Sequence, residues 1–183
     1  MGAIDSFLKI ALRDFSHIAS LFPSTSFAAR SVVKQIPPDV KIVVEYGPGN
    51  GSITREILRR IPEKSRLICI EVNENFIPIL EQLGDKRLEV VRGDVVEMSG
   101  KLRQLFPNGV DAVVSGIPFS FLPNEKGEQV IKNTREALRA GGRFVLYQNS
   151  LRTLDRLKKH FTKVKFSFEP RNIFPYFILV ATV

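Results

Sequence analysis

The sequence contains no tryptophan, one cysteine and two histidines in 183 residues. A single cysteine excludes an internal disulfide framework, and no cysteine and histidine cluster has the spacing of a structural zinc site, so no metal is expected. A reducing, cytoplasmic compartment fits. Long apolar runs are missing as well: crossing a bilayer takes about 18 uninterrupted apolar residues, and no stretch supplies them. Nor does the N-terminus carry the basic start, apolar run and small-residue cleavage site of a secretory signal. Acid is in deficit. The 27 Lys and Arg against 19 Asp and Glu leave 27 − 19 = +8, which points to an anionic partner, either nucleic acid or an acidic membrane surface. Hydrophobic residues make up 44% of the chain, enough for a real core, and intrinsic disorder is excluded.

From residue 40 onward, β-branched runs alternate with amphipathic patterns, the signature of βαβ units. Strands are expected at 41–46, 66–71, 88–92, 110–115 and 143–148, with helices at 52–60, 73–83, 126–138 and 151–160. Two further strand-like stretches, 163–169 and 177–183, have no helix between them. They must pair antiparallel, because a parallel crossover needs roughly a dozen residues. The expected class is α/β: a mostly parallel seven-stranded sheet, closed by an antiparallel C-terminal hairpin, with helices on both faces. Residues 1–36 lie outside this alternation and 37–183 form the rest of one compact unit. Within the first segment Ile4, Phe7, Leu8, Ala11, Phe15, Ile18, Ala19 and Phe22 share one face of a helix over 3–22. Pro23 stops it, and Ser24, Thr25 and Ser26 can cap a second helix over 27–35.

The first strand runs into Glu45-Tyr46-Gly47-Pro48-Gly49-Asn50-Gly51-Ser52 and then a helix. Glycine lets a ligand approach the main chain at the C-terminal edge of the sheet, where α/β folds bind ligands. The spacing is G-x-G-x-G behind an acidic residue. A dinucleotide fingerprint wants G-x-G-x-x-G, whereas a ligand with an amino-acid tail gives Glu45 a cation to meet. Glu71 ends the second strand, where a carboxylate can accept both hydroxyls of a ribose. Gly93-Asp94 follows the third. Any one acidic residue after a strand also reads as a helix cap, but three in register at successive strands are hard to explain that way.

This pattern resembles motif I and its companions in the Rossmann-like methyltransferases that use S-adenosylmethionine. The resemblance implies that Asp94 takes the exocyclic amine of adenine. It implies a cofactor site built from Ser24, Thr25, Ser26, Glu45, Tyr46, Gly47, Gly49, Gly51, Glu71, Val72, Gly93, Asp94, Val95 and Ser115, with S-adenosylhomocysteine as the product. The fourth strand ends Ser115-Gly116-Ile117-Pro118-Phe119, the position that faces the departing methyl group in the superfamily. Ribosomal RNA adenine dimethyltransferases carry Asn two residues before the Pro. Here that residue is Gly116, so the amide that would hold an adenine amine is absent, and only a main-chain carbonyl is left to substitute in part. Ser-Gly-hydrophobic-Pro is similar to bacterial phospholipid N-methyltransferases, as is Pro23-Ser24-Thr25-Ser26 ahead of the core. This implies stepwise methylation of phosphatidylethanolamine toward phosphatidylcholine, with Ser115, Gly116, Ile117, Pro118, Phe119 and Tyr147 on the acceptor side. The RNA dimethyltransferases usually add a helical domain after the core, and none follows here.

Methyl transfer to an amine is an in-line displacement, so alignment and desolvation supply most of the acceleration, and a strong general base is not required. Aromatic faces stabilise a choline-like cation, and Phe119, Phe121, Tyr147 and Tyr176 are the candidates, with core packing the alternative for each. His17 reads as a helix-surface residue, His160 as a cation at a helix C-terminus, and Cys69 as inert core. The 3–22 helix reads either as a membrane-interface anchor or as a helix packed on the sheet. A second basic concentration, Arg152, Arg156, Lys158, Lys159, Lys163 and Lys165 against Asp155, suits an anionic lipid surface and equally attracts RNA. The expected enzyme acts on phospholipid, peripheral to the inner face of the membrane. The alternatives are an RNA adenine N6-methyltransferase and an idle cofactor-binding protein.

Overall fold

The computed structural model describes residues 26–120, 122–170 and 176–183, with side chains from residue 29. The 3–22 helix, His17, Ser24, Thr25, Phe121 and the Ser26 side chain therefore lie outside the described residues. The elements are α1 (Ser26–Val33), β1 (Ile42–Tyr46), α2 (Ser52–Arg60), β2 (Arg66–Glu71), α3 (Ile77–Glu81), β3 (Leu88–Arg92) and α4 (Val95–Leu105). They continue with β4 (Val110–Ser115), α5 (Asn124–Ala137), β5 (Leu138–Gln148), α6 (Leu154–His160), β6 (Lys163–Glu169) and β7 (Tyr176–Thr182).

One seven-stranded sheet has the order β3-β2-β1-β4-β5-β7-β6. The first five strands are parallel, and β7 pairs antiparallel with both β5 and β6, as the missing crossover helix requires. β1 and β4 are buried along nearly their whole length, which suits central strands covered on both faces. The pleat sends Val44, Tyr46, Ile68, Ile70 and Phe144 to a core shared with Leu102 of α4 and Ile131 of α5. It sends Val43, Cys69, Val114 and Val145 to the other face, against Val32 of α1 and Ile57 of α2. The order in which strands are added reverses between β1 and β4: β2 and β3 extend the sheet on one side, β4 and β5 on the other. The C-terminal ends of β1 and β4 frame the crevice where open α/β sheets take ligands.

Three elements differ from the sequence expectation. α4 was not anticipated, because Ser99 and Gly100 interrupt its pattern; those small residues let α5 come close, with Asn133 Nδ2 donating to Ser99 Oγ at 3.1 Å. The helix expected at 73–83 is only Ile77–Glu81, since Pro78 is tolerated only in the first turn of a helix. β5 starts at Leu138 directly after α5 and passes through Gly141 and Gly142, with a register shift opposite Val110/Ala112, so it is longer than the strand expected at 143–148.

Candidate active site

Gly47, Gly49 and Gly51 all have positive φ. At Gly47 the backbone angle is +66° and a Cβ would lie 2.9 Å from Ile117 Cγ1, so glycine is needed twice over. At Gly49 a Cβ would meet nothing within 4 Å, which leaves an open space over the turn. The Gly47 N–H donates to the Ile70 carbonyl at 3.0 Å, tying the turn to β2.

Two carboxyls belong to the turn: Glu45, two residues before Gly47 in the chain, and Glu71, which is bonded to Gly49. Glu45 is fully buried; its Oε2 accepts from Thr54 Oγ1 at 2.8 Å and from the Cys69 thiol at 3.4 Å. Its Oε1 has no hydrogen-bond partner among the described residues, although a buried carboxyl oxygen is costly to leave so. Burial pushes the acid up to about 7, against the hydrogen bonds from Thr54 and Cys69, and the charge on Glu71 adds to the rise. Glu71 ends β2 with 5% of its surface exposed. It accepts from the Gly49 N–H at 3.0 Å and from the Asn73 N–H at 2.8 Å. Burial raises its pKa against those donors. Val72, next in the chain, is 42% exposed. An orphaned buried acid, an open glycine turn and a second carboxylate across it fit a ligand that carries both a cation and a ribose.

The other expected cofactor residues divide. Asp94 caps α4, its Oδ1 accepting from the Val96 N–H at 2.8 Å, so the capping alternative holds for that oxygen. Gly93 gives its N–H to the Glu71 carbonyl at 2.9 Å, and a Cβ there would strike Met98 Cγ at 2.8 Å. The side chains of Val95 and Tyr46 point into the core, with the Tyr46 hydroxyl 3.1 Å from Thr134 Oγ1. Only their main chains adjoin the turns.

On the β4 side, buried Ser115 accepts from the Ile117 N–H at 3.3 Å. Phe119 is fully buried, edge-on to Phe144 at 6.1 Å between centroids, so its ring belongs to the core rather than to an aromatic pocket. Tyr147 and Tyr176 do meet, edge to face at 5.9 Å. A Cβ on Gly116 would lie 2.2 Å from the Tyr147 hydroxyl and 2.4 Å from Cζ: the phenol fills the volume a side chain at 116 would need. Desolvation, then the charge on Glu45, holds that phenol well above the usual tyrosine range, so it is a neutral donor.

Sequence reasoning missed Thr54, Gln148 and Thr153. Cys69, expected to be inert, stays a buried thiol but bonds Glu45. The β1/β2 register places Glu45 opposite Cys69, which a pairing of the two strands would have revealed. His160 does sit at the end of α6, where its Nε2 lies 2.8 Å from Glu128 Oε2.

A family model described as a methyltransferase domain matches residues 43–142. An ornithine lipid N-methyltransferase from Singulisphaera acidiphila is 33% identical over 162 residues, 86% of this chain and 84% of that protein. Ribosomal RNA small subunit methyltransferase A from Gloeobacter violaceus is 34% identical over 80 residues, and the match spans 43% of this chain but only 26% of that relative. Among solved structures, the 1,6-didemethyltoxoflavin-N1-methyltransferase of Burkholderia thailandensis, bound to its substrate and S-adenosylhomocysteine, superposes with a TM-score of 0.71. That alignment covers 100% of this chain and 91% of that one at 18% identity, a likeness of fold.

Proposed function

The chain belongs to the class I S-adenosylmethionine-dependent methyltransferases, and from that premise we propose that it methylates the amine of a membrane phospholipid, taking phosphatidylethanolamine toward phosphatidylcholine at the membrane surface. When bound, the cofactor supplies an electrophilic methyl carbon. Glu45 is the residue for its ammonium, Glu71 for its ribose, and the Gly47–Gly51 turn for close main-chain approach. The acceptor nitrogen must arrive neutral. Its lone pair forms the N–C bond as the methyl–sulfur bond breaks, and the ammonium proton passes to solvent or to the lipid phosphate.

The observation that carries the lipid reading is the phenol in the place of a side chain at 116. An adenine-methylating site needs a polar acceptor there to hold a planar exocyclic amine; here Tyr147 takes the space, and the neighbouring Ile117 carbonyl already receives the Gln148 amide at 2.9 Å. A flexible aliphatic amine needs neither, and it can approach the Tyr147 and Tyr176 rings, which suit a methylated ammonium product. The lipid-methylating relative, matched over most of both chains, supports the same reading. The test is incubation with labelled S-adenosylmethionine and either phosphatidylethanolamine vesicles, ornithine lipid vesicles or unmodified ribosomal RNA. Label is expected in phosphatidylethanolamine; label in RNA alone would overturn the lipid assignment, and label in ornithine lipid alone would replace the headgroup.

For membrane contact, no described helix is long and apolar enough to cross a bilayer, so the support lies on the surface. β6 is one of the two edge strands; Phe166 and Phe168 on it are each 55% exposed, and Phe168 lies in one cross-strand row with Phe177 and Gln148 at the crevice end of the sheet. Arg152, Lys158, Lys163 and Lys165 are exposed and carry no ion pair among the described residues; Lys163 and Lys165 alternate with the two phenylalanines along β6 and stand on its other face. Each cation near an anionic surface contributes about 1 kcal/mol, and burying part of a phenylalanine a similar amount. The double variant Phe166→Ser/Phe168→Ser is therefore expected to bind phosphatidylglycerol-containing vesicles at least tenfold more weakly in co-sedimentation, with cofactor affinity unchanged. Equal sedimentation of both proteins would remove β6 from the membrane face.

A further inference from the structure

We propose that Gln148 and Thr153 form a positioning pair that fixes the β4 loop against the cofactor turn; this rests on the reading of residues 115–118 as the acceptor side. Gln148 ends β5 and is 6% exposed, and Thr153, just before α6, is 2% exposed. Both ends of the Gln148 amide are used. Its Nε2 donates to the Ile117 carbonyl at 2.9 Å, and its Oε1 accepts from Thr153 Oγ1 at 2.8 Å. The reverse orientation would set two carbonyl oxygens against each other at Ile117, so the hydroxyl and the carbonyl together select one amide orientation.

Ile117 is consequently held at three points. Its N–H goes to Ser115 Oγ, its carbonyl to Gln148, and its side chain lies against Gly47, where a Cβ would meet Cγ1 at 2.9 Å. A continuous set of contacts thus runs from Thr153 through Gln148 and Ile117 to the glycine turn. An in-line displacement is sensitive to such a distance: a misplacement of about 1 Å lowers rates by roughly a hundredfold. Neither Gln148 nor Thr153 is assigned to the reacting atoms, so their effect on catalysis is on alignment.

The experiment compares Thr153→Val, which removes the donor, with Thr153→Ser, which keeps it, in the full chain. Turnover on phosphatidylethanolamine vesicles, cofactor affinity by calorimetry and the NMR signal of a labelled Ile117 δ1 methyl are the readouts. Thr153→Val is expected to lose tenfold or more in kcat, to bind cofactor within twofold of wild type, and to show a broadened or doubled Ile117 signal; Thr153→Ser restores both. Wild-type kcat in Thr153→Val, or an equal loss in Thr153→Ser, would overturn the pair. If the unaltered protein labels no lipid, the substrate assignment fails, and the Ile117 signal decides the positioning: sharp and unshifted in Thr153→Val, it overturns the proposal.

Discussion

Replacing Gly116 with alanine is expected to lower methylation at least a hundredfold and to destabilise the fold, and the stability losses of Gly116→Ala and of removing the Tyr147 ring are expected to be less than additive. The added methyl would sit 2.2 Å from the phenol oxygen, 2.4 Å from Cζ and 2.9 Å from Cε2, so it collides with the hydroxyl and two ring carbons at once. The ring is not free to leave. It packs edge-on to Tyr176, and its strand pairs with β4 on one side and β7 on the other. Overpacking of this kind costs about 1–3 kcal/mol, and displacing groups at the reacting centre by about 1 Å accounts for the rate loss. The double-mutant cycle of Gly116→Ala with Tyr147→Ala separates the two effects. Melting curves should show the double variant less destabilised than the sum of the two single variants, by a coupling of about 1–3 kcal/mol. Turnover should stay low in the double variant, because the phenol that bounds the acceptor slot is gone. Additive stability losses would mean that the phenol does not occupy the space of a side chain at 116.

That contact also marks the limit of what the linear sequence discloses. The order of strands, the closing hairpin and the glycine turn are legible because hydrophobic period, the lack of a crossover helix and glycine's backbone freedom are local signals. Glu45 and Glu71 are legible because each ends or nearly ends a strand. What stays hidden is set by neighbours distant in the chain. Gly116 reads as a missing asparagine, but only the β4/β5 pairing brings Tyr147 into the vacated volume. Gln148 and Thr153 look like ordinary polar residues after a strand until the fold closes over them. α4 was hidden for the opposite reason: Ser99 and Gly100 weaken its helical propensity while serving its packing on α5. Phe119 obeys the same rule, since its place in a motif suggested the site and its burial against Phe144 put it in the core.

Cofactor affinity is expected to rise as pH increases from 6 to about 7.5 in the native protein, and to lose that rise in Glu45→Gln. Glu45 holds its proton up to about 7 because burial disfavours the charge. A ligand ammonium beside Oε1 favours the carboxylate, so binding below that value releases a proton, and the release weakens binding as the pH falls. Above about 8 the amino group of the ligand itself begins to lose its charge, which places the maximum between the two. The same residue acts oppositely on the free protein. In the unfolded chain the carboxyl ionises near 4.5, so between about 4.5 and 7 the native state keeps a proton the unfolded state has released, and stability falls as pH rises. A displacement from 4.5 to about 7 corresponds to roughly 3 kcal/mol, fully expressed above 7 and absent below 4.5. Glu45→Gln, neutral at every pH, should therefore match the wild type in thermal unfolding at pH 4 and exceed it by several degrees at pH 8. At pH 7.5 it should bind S-adenosylmethionine at least tenfold more weakly. Calorimetry in two buffers of different ionisation enthalpy reads the proton directly: about half a proton released per site near pH 7 in the wild type and none in the variant. Identical proton counts in the two proteins would remove Glu45 from the ammonium site, while a gain in unfolding temperature at pH 8 would still establish that its burial opposes folding. Together the two results would show a carboxyl kept in the core at the expense of stability for the cation it meets.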